Sequence, residues 1–370
     1  MVKYANFGLS MRVAESLNTF QSNELLEYCQ GRVQGQGSEL KTAVYYIYKY
    51  MQSVASGEPF NAQNWVLTAP SGSGKTEFYR AVKDFCEIYN IPIPVVQIDL
   101  SQITEEGYKG SNPSSIPKRI LADAPNSGGI GICFLDEADK KCVPSYTSHG
   151  DNINAAVQSN LLTLIEGIQL KVDMDDSMED FDSNLTMFIL MGAFQDARHK
   201  KSHKTRSLGF LSELDDGKNK NTTEKTADSF YDDLTIQDII DFGMQEELAG
   251  RLVQVINFHR LSKKAMRKLI RCKVNEISNE IGIDIEITKA AESALLDIAF
   301  GSLGIRRPMN LIRELAQNTV ASVFFDKGFD SSNEKVVIES LKRAHIVSCP
   351  KRSESTSSKA AAQYSYDIPF

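Results

Sequence analysis

Asn64-Trp-Val-Leu-Thr-Ala-Pro-Ser-Gly-Ser-Gly-Lys-Thr-Glu-Phe-Tyr-Arg80 decides how the rest of the chain is read. Trp65-Val66-Leu67 is a short apolar run, the pattern of a buried strand. Ala69-Pro70-Ser71-Gly72-Ser73-Gly74-Lys75-Thr76 follows, and a helix-like stretch continues from Glu77. Strand, glycine-rich loop and helix in that order make a phosphate loop. Its backbone N–H groups and the positive helix N-terminus point at phosphates. Pro70 to Thr76 are the expected contacts, with Lys75 neutralising the β and γ phosphates and the Thr76 hydroxyl ligating Mg²⁺. The pattern G-x-x-x-x-G-K-S/T is met except at its first glycine, which is Ala69. That position shapes the turn more than it touches phosphate. A chance glycine turn before a surface lysine would not explain the strand and helix on either side.

Working outward, 370 residues suffice for two domains and a full core. The apolar content of 42% and charged content of 24% are ordinary for a water-soluble globular chain. The net charge of −7 excludes a global basic field that would draw the protein to nucleic acid or an anionic membrane. Six cysteines are scattered without a C-x-x-C pair, so neither a disulfide nor a zinc framework is expected, and a reducing compartment fits. The N-terminus lacks the basic and apolar regions of a signal peptide, and no apolar run approaches a membrane span. A cytoplasmic location is the expectation.

Residues 1–30 read as a partly amphipathic segment in which Leu25, Leu26 and Cys29 share a helix face. Leu40 to Met51 has helical spacing. Further strands are expected at Val95–Leu100, Ile130–Leu135 and Leu185–Met191, with a helix over Ala155–Ile168. Strands alternating with helices imply an α/β domain with a largely parallel sheet. The acidic stretch Asp173–Asp182 reads as an exposed loop, and 198–229, basic then polar, as a long surface loop. From about Ser262 the pattern is mostly helical, with short β-like runs at Ile283–Ile287 and Lys335–Ile338. The expected organisation is an N-terminal segment (1–30), a large α/β domain (31–255), a small helical domain (256–347) and a disordered tail (348–370).

Ile130-Gly-Ile-Cys-Phe-Leu-Asp136-Glu137-Ala-Asp139-Lys140 supplies the second half of an ATP-hydrolysing site. A buried strand places both carboxylates at the C-terminal edge of the sheet, beside the phosphate loop. Asp136 is expected to hold Mg²⁺, mostly through water, and Glu137 to polarise the attacking water. Phosphoryl transfer requires such positioning and charge compensation more than covalent help.

Leu-Asp-Glu-Ala-Asp-Lys, followed by Val157-Gln-Ser-Asn-Leu-Leu-Thr-Leu-Ile-Glu-Gly167, resembles the ClpX type of AAA+ protein unfoldase, with HslU next nearest. Val33-Gln-Gly-Gln36 resembles that family's segment near the adenine, which makes Val33 a candidate nucleotide contact. Gly192-Ala-Phe194 resembles its Gly-Ala-Phe after the fourth strand. The resemblance runs from about residue 32 to 346. It implies a P-loop ATPase domain followed by a helical lid, and a homohexamer that uses ATP and Mg²⁺ to pull protein substrates through a central pore.

The resemblance also assigns roles one position at a time. Gly107-Tyr108-Lys109-Gly110 matches the Gly-Tyr-Val-Gly pore loop, with Lys109 in the valine place. An aromatic between glycines grips any polypeptide by packing rather than by sequence. Phe242 to Leu252 matches the segment ending in the arginine finger. Arg251 would then stabilise transition-state charge on the nucleotide of a neighbouring subunit. Gly304-Ile-Arg306-Arg307-Pro308 matches the second sensor, with Arg306 as the phosphate contact, Arg307 as its rival, and Pro308 suited to a first helical turn. Met191 stands where relatives carry a small or polar first sensor, with Gln195 as a substitute. Leu208-Gly209-Phe210 resembles the tripeptide by which ClpX docks on the ClpP peptidase, so a ClpP-like partner is expected; a loop folded back on its own domain is the alternative.

Two family features are missing from the sequence: a cysteine cluster for the N-terminal zinc-binding domain, and the basic Arg-Lys-His pore-entrance motif, whose place the acidic 173–182 stretch takes. A protease-free remodeller and a nucleic-acid-associated motor are the rival functions. The negative charge and the tyrosine-bearing loop argue against the second.

Overall fold

Trp65, Val66, Leu67 and Thr68 have no exposed surface, and they form β1 (Trp65–Thr68), an interior strand of a sheet. In this computed structural model the described residues are 7–103, 115–174, 177–201, 233–300, 304–331 and 333–348. The chain forms two compact units, Met1–Ala265 and Met266–Phe370.

In the first unit β1 is joined by β2 (Val95–Asp99), β3 (Gly131–Asp136), β6 (Thr186–Gly192) and β7 (Val255–Asn257). The order is β2-β3-β6-β1-β7, and every neighbouring pair is parallel. Side chains alternate between two apolar layers, as the strand period requires. Trp65, Leu67, Ile132, Phe134, Met187 and Ile189 face one layer. That layer is completed by α1 (Phe7–Leu17), α2 (Ser22–Arg32), α3 (Ser38–Ser56) and α4 (Lys75–Ile88). Val66, Cys133, Leu135, Phe188 and Leu190 face the other. It is covered by α5 (Ser115–Asp123), α6 (Asp139–Cys142), α7 (Ile153–Glu166), α8 (Ile236–Phe242) and α9 (Glu246–Ala249). Apolar cover on both faces explains why these strands read as unbroken hydrophobic runs. Tyr50 of α3 ties that helix to the starts of β6 and β3: its hydroxyl donates to Leu185 O at 2.6 Å and accepts from Gly131 N at 2.8 Å.

Several expectations change. Residues 173–182 are not simply a loop: β4 (Gln169–Asp173) and β5 (Met178–Asp182) form an antiparallel hairpin. Its alternation is carried by Val172 and Phe181, buried among carboxylates that face water. The acidic composition masked that period of two. β7, only three residues long, went unread, as did the strand Arg343–Ser348. Arg198 does not open a solvated loop, because 195–201 is helical and Arg198 is 2% exposed. Its Nη2 donates to Thr68 Oγ1 and to Asn257 Oδ1. Asn257 in turn pairs its side-chain amide with both Leu234 N and Leu234 O at 2.9 Å. Lys201 reaches Asp233 O with its ammonium.

The second unit holds most of α10 (Lys263–Ile281), then β8 (Ile285–Ile287), α11 (Lys289–Ala299), α12 (Arg306–Phe324), β9 (Glu334–Ser340) and β10 (Arg343–Ser348). Its three strands run in the order β10-β9-β8, antiparallel and then parallel. Glu292, buried beside α10, takes two bonds from Arg271. Among the described residues no helix is long and apolar enough to cross a membrane.

Candidate active site

The phosphate loop leaves β1 at its C-terminal end. Ala69 N donates to Gly192 O at 3.1 Å, which fixes the start of the loop against the end of β6. Ala69 is fully buried and does not have a positive φ, so the missing first glycine needs no left-handed backbone there. Gly72 and Gly74 do have one, with φ of 80° and 102°. A Cβ on Gly74 would lie 3.0 Å from Val33 Cγ1, so Val33 sits directly against the loop. Gln36 strengthens that contact: its Nε2 donates to Ser73 O at 3.1 Å and to His259 O at 2.8 Å.

Helix α4 begins at Lys75 and carries Thr76 in its first turn. Lys75 Nζ donates to Ala69 O at 2.6 Å. Burial pulls its pKa below the ordinary lysine value, and Asp136, Asp139 and Glu137 push it back. The Ser73 hydroxyl is buried without a hydrogen-bond partner. A half-buried ammonium, an unpaired hydroxyl and the start of a helix form a donor set that fits a polyphosphate. Arg32 secures α2 to α4 through Glu77 and Asp84, each at 2.7 Å.

Asp136 ends β3, where Gln97 Nε2 donates to its Oδ2 at 2.7 Å and Glu137 N to its Oδ1 at 2.9 Å. Glu137 has φ of 59°, an uncommon conformation for a residue with a side chain and one concentrated at functional sites. It faces Lys140 at 3.4 Å. Phe194, in the turn after β6, has φ of 47°. That turn is held by Asp139, whose Oδ2 accepts from Phe194 N at 3.0 Å. Asp139 Oδ1 is buried and unpartnered. Oxygen donors at Thr76 and Asp136 suit a hard cation such as Mg²⁺.

Arg251 follows α9, and its Nη2 meets Glu166 Oε1, the end of α7, at 2.6 Å. Arg306 is exposed at the first position of α12, where Pro308 also lies within the first turn. Met191 is fully buried in the apolar layer, and Gln195 is exposed. Gly107, Tyr108, Lys109 and Gly110 lie outside the described residues, as do Leu208, Gly209 and Phe210. Sequence reasoning gave no role to Gln36, Gln97 or Asp139. Only the Gln of Val33-Gln-Gly-Gln36 and the second Asp of the Leu-Asp-Glu-Ala-Asp run offered a signal.

A profile of the AAA domain (Cdc48 subfamily) matches residues 61–255, more than half of the chain, from just before β1 to the first residue of β7. The chain belongs to this AAA family. It is an ATPase, and its parallel sheet with an edge of phosphate loop and carboxylates is the AAA fold. Similar proteins include an "ATP-dependent Clp protease ATP-binding subunit ClpX" of Porphyromonas gingivalis, 26% identical over 352 residues, covering 87% of this chain and 82% of that protein. The ClpX of Treponema denticola is 26% identical over 313 residues, 76% of this chain and 73% of the relative. ClpX 2 of Wolinella succinogenes is 27% identical over 304 residues, 74% and 72%. This AAA protein is thus similar to ClpX over most of its length.

Proposed function

We propose that this AAA ATPase is the ATP-hydrolysing regulatory subunit of a ClpP-like protease, a homohexameric cytoplasmic unfoldase that threads protein substrates into its partner. The observation that carries the reading is the reach of the ClpX similarity. Its 87% coverage of the chain exceeds the 265 residues of the first unit, so it takes in part of the second. An ATPase domain over 31–255 and a lid over 256–347 accord with that reach.

The residues then have named tasks. Lys75 neutralises phosphate charge, and Ser73, Gly74 and Thr76 present donors to the same oxygens. Thr76 and Asp136 would hold Mg²⁺, which when bound offsets the charge of the phosphate oxygens. Glu137, turned by its left-handed backbone, orients and deprotonates the attacking water. Arg251 completes the site of the next subunit, and Arg306 senses nucleotide from the lid. Tyr108, with Gly107, Lys109 and Gly110, grips the substrate. Leu208, Gly209 and Phe210 dock on the peptidase, an apolar tripeptide in a polar stretch being suited to a partner's pocket.

The test is ATP-dependent degradation of a stably folded, tagged reporter with a ClpP-type peptidase added. Glu137→Gln, Tyr108→Ala and deletion of 208–210 are each expected to abolish it. Unfolding without degradation, indifferent to the deletion, would instead identify a protease-free remodeller. ATPase activity stimulated by nucleic acid, with the reporter untouched, would overturn the unfoldase reading.

A further inference from the structure

Helix α7 carries two buried amides one turn apart, Asn154 and Gln158, 8% and 5% exposed. Both face the chain that follows the Asp136–Glu137 pair. Asn154 Nδ2 donates to Lys140 O at 3.1 Å and Val143 O at 2.7 Å. Gln158 Nε2 donates to Lys141 O at 2.9 Å. These are end carbonyls of the short helix α6, groups that a helix leaves without partners of its own. The N-terminal residue of α6 is Asp139, which holds the Phe194 turn. The segment next to the hydrolytic carboxylates is therefore fastened at both ends.

Gln158 also reaches the other way. The same Nε2 donates to Gly243 O at 3.1 Å, and its Oε1 accepts from Gln245 N at 2.8 Å. Gln245 returns a bond to Ala155 O of α7 at 3.1 Å and stands at the N-cap of α9, which leads into Arg251. Eight residues along the helix from Gln158, about 12 Å at 1.5 Å per residue, Glu166 meets the Arg251 guanidinium. One buried side chain thus bonds both to the turn behind a protomer's own hydrolytic site and to the segment that presents its arginine.

We propose that Gln158 is a positioning residue that sets Arg251 relative to the hydrolytic turn of its own protomer. Each subunit's site and the finger it offers to its neighbour then move as one piece. The proposal rests on the reading of Arg251 as a finger acting in trans. An isolated cavity-filling amide would need only its own bonds satisfied. Gln158 instead spends all three on the backbone of two different functional segments, and no apolar side chain of its size could replace any of them.

The test is a double-mutant cycle in the full-length chain with saturating ATP. Gln158→Met is expected to lower kcat by on the order of 100-fold, the effect of a misplacement of about 1 Å, with KM for ATP unchanged. Arg251→Ala is expected to lower kcat at least as far. The double variant should be no slower than Arg251→Ala alone. If the two losses multiply, Gln158 acts on the hydrolytic turn or on folding, and the proposal falls while the finger stands. If Arg251→Ala alone leaves kcat intact, the finger reading falls and takes the proposal with it. Gln158→Glu, isosteric and still an acceptor for Gln245 N, repeats the cycle should the methionine variant fail to fold. A circular dichroism melt of each variant identifies that case.

Discussion

Gly74→Ala separates what the phosphate loop owes to its backbone from what it owes to its neighbours. The native φ of 102° lies in the left-handed half of the map. A residue with a Cβ pays about 1–2 kcal/mol for such a backbone. The added methyl also meets Val33 Cγ1 at 3.0 Å, and Val33 is itself only 2% exposed. The strain can appear in two places. If the loop keeps its shape, stability to urea falls by about 1–2 kcal/mol and nucleotide affinity is kept. If the loop relaxes, stability is retained, and restoring the phosphate-binding shape weakens nucleotide binding by roughly 5–30-fold, the same free energy. Both quantities are measurable, by urea titration of the nucleotide-free protein and by titration with a fluorescent ATP analogue. Adding Val33→Ala should relieve the contact but not the backbone strain, giving a coupling of at least about 0.5 kcal/mol between the two positions. Unchanged stability together with unchanged affinity in Gly74→Ala would refute the argument. Additivity of the pair would refute the placement of Val33.

Two further outcomes test the fold. Tyr50→Phe leaves Gly131 N buried, and Leu185 O half-buried, without the hydroxyl they share, so urea stability should fall by about 1–3 kcal/mol; no loss would mean that these groups find water. In the second unit, Arg271 holds the Glu292 carboxyl below its usual range, against the opposing effect of burial. A depressed folded-state pKa gives stability that is present above the unfolded value, 4.5, and lost as pH falls through the folded one. Glu292→Gln should therefore flatten the decline in stability between about pH 5 and pH 3, followed by circular dichroism; an equally steep decline would assign the acid sensitivity elsewhere.

The parallel core was legible in the sequence because each of its longer strands is covered on both faces and so reads as an apolar run. The phosphate loop and the Asp136–Glu137 pair were legible because their spacing follows from the chemistry of phosphate. What escaped notice was short or disguised. Val255–Asn257 is too brief for a period to show. The hairpin of β4 and β5 hides two inward residues among carboxylates. Arg198 carries a charge into the interior, where a solvated basic run was expected, because Thr68 and Asn257 offer it oxygens at that depth. Gln158 lies inside a helix that the sequence led one to expect, but its three backbone partners come from distant segments that no local pattern reveals.

The Asn257 amide and the Lys201 ammonium have a topological consequence. Lys201 reaches Asp233, and Leu234 is bonded through both backbone groups to Asn257, so the chain leaves at residue 201 and returns at 233 through one stapled doorway. Both anchors of that doorway belong to the first unit and are fixed there by bonds to its own residues. Loop-closure entropy grows by only about 0.6 kcal/mol for each doubling of such a segment. Insertions or deletions between residues 201 and 233 are therefore expected to leave the catalytic edge in register.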